Sequence, residues 1–261
     1  TSGIVNTGNP AGPLQTGLDA LKAKDIARAR ALRDSLPSGS LDRHILEWAI
    51  ALSGDPSVPS HEIAQAAADL PAWPGLAALR RNFERALYRE NPPAKDVIAA
   101  FAKSTPQTPV GAAILARVNV AQGNAQAAHT VLAPLWRKAV MSADDEQAII
   151  SEFGSLLTAD DHFHRMSAML YAERPASAGR VAKLANSEPL FAAWSAAIRK
   201  DAKTAGFVKV VPAEAQKLAG FQFAKALWQR KTGKLKDAAK VMAEAPQDAD
   251  SLVDPDAWWN E

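Results

Sequence analysis

The stretch ADDHFHRM is a dense run of reactive side chains: Asp160, Asp161, His162, His164 and Arg165 fall within six residues. Carboxylates and imidazoles at that density invite a metal centre. On a helix, however, His162 and His164 point about 200° apart and cannot share one ion, and the i, i+4 pair typical of helical zinc motifs is missing. Asp160 or Asp161 as a helix N-cap, with acidic charge in the first turn, accounts for the same letters. Neither a metal nor a cofactor is expected. Trp73, in LPAWPG, could stack on a ligand, but between prolines at a helix start it reads as a wedge in a hairpin. Trp48, Trp136, Trp194 and Trp228 sit on apolar helical faces and read as core. Arg80, Arg81, Glu84 and Arg85 are expected to form i, i+4 charge pairs on a solvated face, worth a few tenths of a kcal/mol each. No Gly-rich phosphate loop, GxSxG elbow, HExxH or paired-carboxylate motif occurs.

The elements that would position these side chains are almost all helical. Residues 1–13, TSGIVNTGNPAGP, have the composition of a linker and are expected to form a tail. From Leu14 onward, Ala-rich amphipathic segments alternate with Pro, Gly, Ser or Asp at short intervals. Ser40 and Ser60 are expected caps, and in the helix after Ser40 one apolar face gathers Ile45, Leu46, Trp48, Ala49 and Leu52. Phe207–Val211 is the one β-branched run, and before Pro212 it can be only an extended connector or a helix end. Short links make neighbouring helices antiparallel, so the chain is expected to be a series of helical hairpins.

A degenerate repeat supports that expectation. GNAQAAHTVLA from Gly123 and GKLKDAAKVMA from Gly233 match in phase, pairing Ala128 with Ala238, Val131 with Val241, Leu132 with Met242 and Ala133 with Ala243. KDIARARALR from Lys24 follows loosely, placing Ala29 and Leu32 at the same points. A turn glycine followed by a helix with small residues on one face is the pattern of tetratricopeptide-type units. The predicted fold is therefore all-α: a curved right-handed α-solenoid of antiparallel hairpins covering 14–261.

Composition narrows the partners. With 48% apolar and 22% charged residues, a formal net charge of +2 and interleaved signs, the chain has an ordinary globular makeup and no basic stripe for a phosphate backbone, so nucleic acid is not an expected partner. Cysteine is absent, which excludes disulfides and thiolate metal sites and leans towards an exported bacterial protein. No apolar run approaches the roughly 20 residues of a membrane span. At the other end, LVDPDAWWNE reads as a helix start, with Asp254 as N-cap, Pro255 at the first position and Asp256 at the positive end of the dipole.

Five stretches, LDRHILEWAIALSG, LPAWPGLAALRRNFERAL, DDHFHRMSAMLYAERPASAGRVAKLA, GFQFAKALWQRKTGKLKDAAKVMAEAP and SLVDPDAWWNE, resemble the N-terminal superhelical domain of soluble lytic murein transglycosylases of alphaproteobacterial type. The resemblance spans about Leu14 to Glu261, and its most specific pieces are the WPG turn, the DDHFHR segment ahead of an apolar helix and DPDAWW. It implies a periplasmic protein acting on peptidoglycan, with a U-shaped helical domain leading to a lysozyme-like domain that cleaves the glycan with one glutamate. That catalytic motif, a glutamate followed by serine, is not in this sequence, nor are the GLMQ-type and AYNAG-type motifs. No catalytic residue is carried over, and the chain is expected to be a truncated or processed part of the parent whose own role is non-catalytic.

The expected role is to hold glycan strands for the missing catalytic domain of the same polypeptide. The alternatives are a protein-binding solenoid that recruits other envelope proteins, or a released fragment with its own regulatory role. Candidate ligand or partner contacts are Trp73, His162, His164, Arg165, Trp258 and Trp259. Exposed Trp258 and Trp259 at a solenoid end would also favour a homodimer.

Overall fold

A computed structural model of the chain describes residues 12–246 and 248–261. The expected tail lies outside the described residues except for Gly12 and Pro13, and Pro13 opens the first helix. Among the described residues there is no strand, and the contacts gather into two compact units that meet in sequence at Gln122 and Gly123.

The first unit holds α1 (Pro13–Lys22), α2 (Ile26–Ser35), α3 (Leu41–Leu52), α4 (Ser60–Asp69), α5 (Leu76–Glu90), α6 (Ala94–Phe101) and α7 (Pro109–Ala121). The second holds α8 (Ala125–Lys138), α9 (Ala143–Phe153), α10 (Ala159–Tyr171), α11 (Pro175–Val181), α12 (Glu188–Arg199), α13 (Thr204–Lys209), a 3-10 turn at Ala215–Lys217, α14 (Ala219–Lys231), α15 (Leu235–Ala243), α16 (Ala249–Leu252) and α17 (Pro255–Asn260). Within each unit sequence neighbours pack as pairs, such as α1 on α2, α4 on α5, α10 on α11 and α14 on α15, which is the solenoid-like all-α architecture expected of helical hairpins. The run FVKVV is a helix end: α13 takes in its first three residues and stops at Lys209.

The repeat is visible as a turn geometry. Lys24, Glu173 and Gly233 are left-handed, with φ of 59°, 52° and 80°, and each closes its helix with two bonds from the Schellman motif. In the first, Asp25 N–H donates to Ala20 O at 2.8 Å and Lys24 N–H to Leu21 O at 3.0 Å; Arg174 with Met169 and Lys234 with Gln229 repeat the former bond at 2.8 Å. Gly123 shares the left-handed geometry at φ 77°. Five residues beyond each of these four stands a buried alanine, Ala29, Ala128, Ala178 and Ala238. The turn at Glu173 is a fourth copy absent from the sequence repeat; like Lys24, and unlike Gly123 and Gly233, its left-handed residue is not a glycine.

Small residues set how closely helices approach. A Cβ on Gly220 of α14 would lie 2.6 Å from the Trp194 ring of α12, and one on Gly17 of α1 would lie 2.8 Å from the Leu46 side chain of α3. In the first unit Ile50, Leu79, Ile63 and Ala29 share one core cluster, and Leu87, Val97, Phe101, Ile114 and Val118 form a second. In the second unit Trp136 and Trp194 are fully buried, as expected. Trp48 and Trp228 are only half-buried.

Two expected helix features differ. Ser60 is the first residue of α4 rather than its cap, and both its N–H and its hydroxyl donate to the Glu90 carboxylate at the end of α5. Glu84 is not on a solvated face: it is wholly buried, takes the Arg80 Nε–H at 2.9 Å, and accepts the Gln107 N–H at 2.9 Å, the Thr108 N–H at 2.8 Å and the Thr108 hydroxyl at 2.7 Å. It thereby anchors the N-terminus of α7, where Thr108 caps Gly111, and Gly111 is obligatory because a Cβ there would lie 2.3 Å from a Glu84 oxygen. Glu84→Ala should cost about 3–5 kcal/mol in chemical denaturation, since it strands buried donors and a partly buried guanidinium, whereas Arg81→Ala on the exposed side of α5 should cost under about 0.5 kcal/mol.

Candidate functional site

The ADDHFHRM segment folds as the first two turns of α10, in the second unit. Its N-cap is Thr158 rather than either aspartate. The Thr158 hydroxyl accepts the Asp161 N–H while the Asp161 carboxylate accepts the Thr158 N–H at 2.8 Å, a reciprocal capping box. Asp161 also meets His129 Nε2 at 2.9 Å and accepts from Arg137 Nε at 2.8 Å, both on α8. Burial acts to raise the Asp161 pKa, but the bonds from Thr158, His129 and Arg137 outweigh it and hold the carboxyl well below its ordinary range.

Arg165, one turn on, is fully buried and spent on structure. Its Nη1 donates to Trp136 O at 2.7 Å and Ala139 O at 2.9 Å, closing the C-terminal end of α8, and its Nε donates to Glu146 Oε2 at 3.0 Å. The guanidinium lies 4.5 Å from the Trp136 ring centroid. Glu146, also buried, accepts from Arg180 of α11 at 2.7 Å, so one carboxylate joins α9, α10 and α11. His162 is buried edge-on against Trp136 at 5.4 Å, with no hydrogen-bond partner at Nδ1. Burial lowers its pKa. Arg165 and His162 are therefore corrected from contact residues to packing residues, because neither reaches solvent.

The last helix follows the same logic. Asp254 caps α17, accepting the Ala257 N–H at 3.0 Å, and Pro255 is its first residue, as expected. Trp258 turns into the unit: its Nε1–H donates to the Tyr171 hydroxyl at 3.0 Å, and its ring meets Phe223 edge-on at 5.3 Å. Tyr171 packs in turn on Trp194 at 4.6 Å. Burial raises the Tyr171 pKa, against the hydrogen bond from Trp258. Trp258 is thus corrected from an exposed contact to a buried anchor, and only Trp259, 90% exposed, remains of the apolar pair expected to drive dimerisation.

Between the end of α8, one face of α10 and the α16–α17 link lies a cleft of about 720 Å³. His164, Ala168 and Ala172 line it at helical spacing, with Met169 beside them; Arg137 and Lys138 stand at the α8 end, and Val253, Asp254 and Pro255 form the far link. Of the six candidate contacts, His164 opens onto this cleft and Trp259 is free on the surface. Trp73 belongs to the first unit, half-buried, where it packs on Trp48 at 5.8 Å beside the bond from Trp48 Nε1–H to Pro74 O, which is the hairpin wedge. The cleft itself was not foreseen, since its walls come from three stretches far apart in sequence. A smaller hollow of about 160 Å³ in the first unit is lined by Arg33 and Arg43, whose charges are met by Glu62 and Glu47.

Comparison with protein-family models, with curated proteins and with solved structures finds no match. Among the described residues no group of His, Asp and Glu is arranged to hold a metal ion, and no helix is long and apolar enough to cross a membrane.

The two buried groups of α10 give separate pH signatures. The folded state disfavours protonated His162, so stability is complete above the ordinary histidine value of 6.5 and falls as pH drops below it. Asp161 adds a loss only once pH falls below the ordinary carboxyl value of 3.8. Denaturation series from pH 8 to 4 on His162→Phe should show a flatter profile than the parent between about pH 6.5 and 4, while Asp161→Asn should be destabilised by roughly 2–4 kcal/mol already at pH 7.

Proposed function

We propose that this chain is a non-catalytic helical domain of the kind carried by periplasmic lytic murein transglycosylases, and that it holds peptidoglycan for a catalytic domain elsewhere in the same polypeptide. One observation carries the reading. Two of the three most specific pieces of the resemblance, DDHFHR and DPDAWW, lie nearly a hundred residues apart in sequence, yet the helices they begin are joined by the hydrogen bond of Trp258 to Tyr171 and share the walls of one cleft. That pairing, with the open cleft beside it, supports a binding role. The catalytic glutamate–serine pair is absent from the sequence, so the chain is assigned binding and no bond cleavage.

A second reading, a protein-recruiting solenoid of the cell envelope, is favoured by Trp259 alone, since a tryptophan 90% exposed is the commonest kind of anchor for a protein partner. The purified chain should sediment with murein sacculi and release no anhydro-muropeptides. Failure to sediment, together with capture of one defined envelope protein that is lost in Trp259→Ala, would replace the first reading by the second.

A further inference from the structure

The cleft of the second unit has a chemistry more specific than general glycan binding. Its floor is aliphatic: Ala168 and Met169 of α10 and Ala172 just after it, with Val253 of the link and Pro255 at the start of α17. No tryptophan, tyrosine or phenylalanine lines it, so it offers no flat aromatic platform for a sugar ring. Its two ends carry opposite charges. Arg137 at the α8 end is committed to Asp160 and Asp161, but Lys138 beside it is exposed and has no ion-pair partner among the described residues. Asp254 at the link uses one carboxylate oxygen to cap α17 and has no cationic partner among the described residues.

The link is also strained. Val253 is held at φ 64° and ψ −46°, with Asp254 N–H donating to Leu252 O at 2.7 Å in a γ-turn. A β-branched residue rarely adopts left-handed φ, and such positions cluster at ligand clamps because the surroundings must hold them there. Here the strained residue is itself a wall of the cleft.

We infer that this cleft binds a short peptide that carries an alanyl side chain together with free carboxylate and amine groups, a carboxylate meeting Lys138 and an amine meeting Asp254. The inference deepens the peptidoglycan reading by assigning the cleft to the peptide portion of murein rather than to its glycan strand. The cleft volume is in the range that takes a ligand of this size, and alanyl side chains match a floor of alanine, methionine and valine. The thioether of Met169 gives the floor some adaptability.

The test is isothermal titration of the full chain with two probes: a tripeptide of alanine, γ-linked glutamate and lysine, and a neutral chitooligosaccharide. Binding of the tripeptide and not of the oligosaccharide is expected, weakened roughly tenfold by Lys138→Glu and abolished by Ala172→Phe, which fills the cleft from an exposed position. Circular dichroism should show both variants folded. Binding of the oligosaccharide alone, binding of neither probe, or tripeptide binding indifferent to both variants would overturn the inference. Sacculus sedimentation separates the two proposals: sacculi retained by Lys138→Glu and Ala172→Phe as by the parent would leave the murein reading standing without the cleft, whereas tripeptide binding with no sacculus binding would leave the cleft standing without murein.

Discussion

Short helices leave many ends, and each end carries up to four backbone groups with no partner inside its own helix. In a chain built of helices of about ten residues, that demand falls almost everywhere, and this protein meets it with side chains from neighbouring helices. Glu84 of α5 takes the amides ahead of α7, and the Glu90 carboxylate takes the first amide of α4. At the opposite ends, Arg165 covers the last carbonyls of α8, Asn82 donates to Ala51 O and Leu52 O of α3, and Lys231 donates to Ile198 O of α12. The signs agree with the helix dipole, carboxylates at N-termini and cations at C-termini.

This arrangement explains why charged residues are buried in a protein with no identified catalytic machinery. Arg165, Glu146, Asp161 and Glu84 look, by type, like the parts of an active site. Each is met by backbone groups, countercharges or both, and a group so bonded is held in one place. Lys138 and Asp254, at helix ends beside the cleft, are of another sort, with no ion-pair partner among the described residues.

The ADDHFHRM segment shows both sorts on one helix. Asp161, His162 and Arg165 fall on the side of α10 that meets α8 and α9, while His164 falls on the side that lines the cleft, as the helical angle between the two histidines requires. The contact of Trp258 with Tyr171 then brings the α16–α17 link to the same side of α10. A binding reading of the protein depends on that contact more than on any one motif.

Local chemistry was legible in the sequence wherever it acts over a few residues. Helix periods, the caps at Ser40 and Asp254, the first-position Pro255, the turn glycines and the alanine five residues after them all depend on neighbours along the chain, so the all-α, paired-helix fold could be read from them. The turn at Glu173 shares its left-handed geometry with Lys24, a non-glycine residue too, so turn glycines alone do not mark every copy. What only the tertiary structure decided is which charges are buried and where a cleft opens. Glu84 reads as an exposed i, i+4 partner because Arg80 stands one turn away, and nothing local announces that Gln107 and Thr108 will arrive to desolvate it. Trp258 and Trp259 are identical in type and adjacent, yet a rotation of about 100° along the helix buries one against Tyr171 and leaves the other in solvent. Sequence specifies the faces of a helix, and only packing decides which face meets a neighbour.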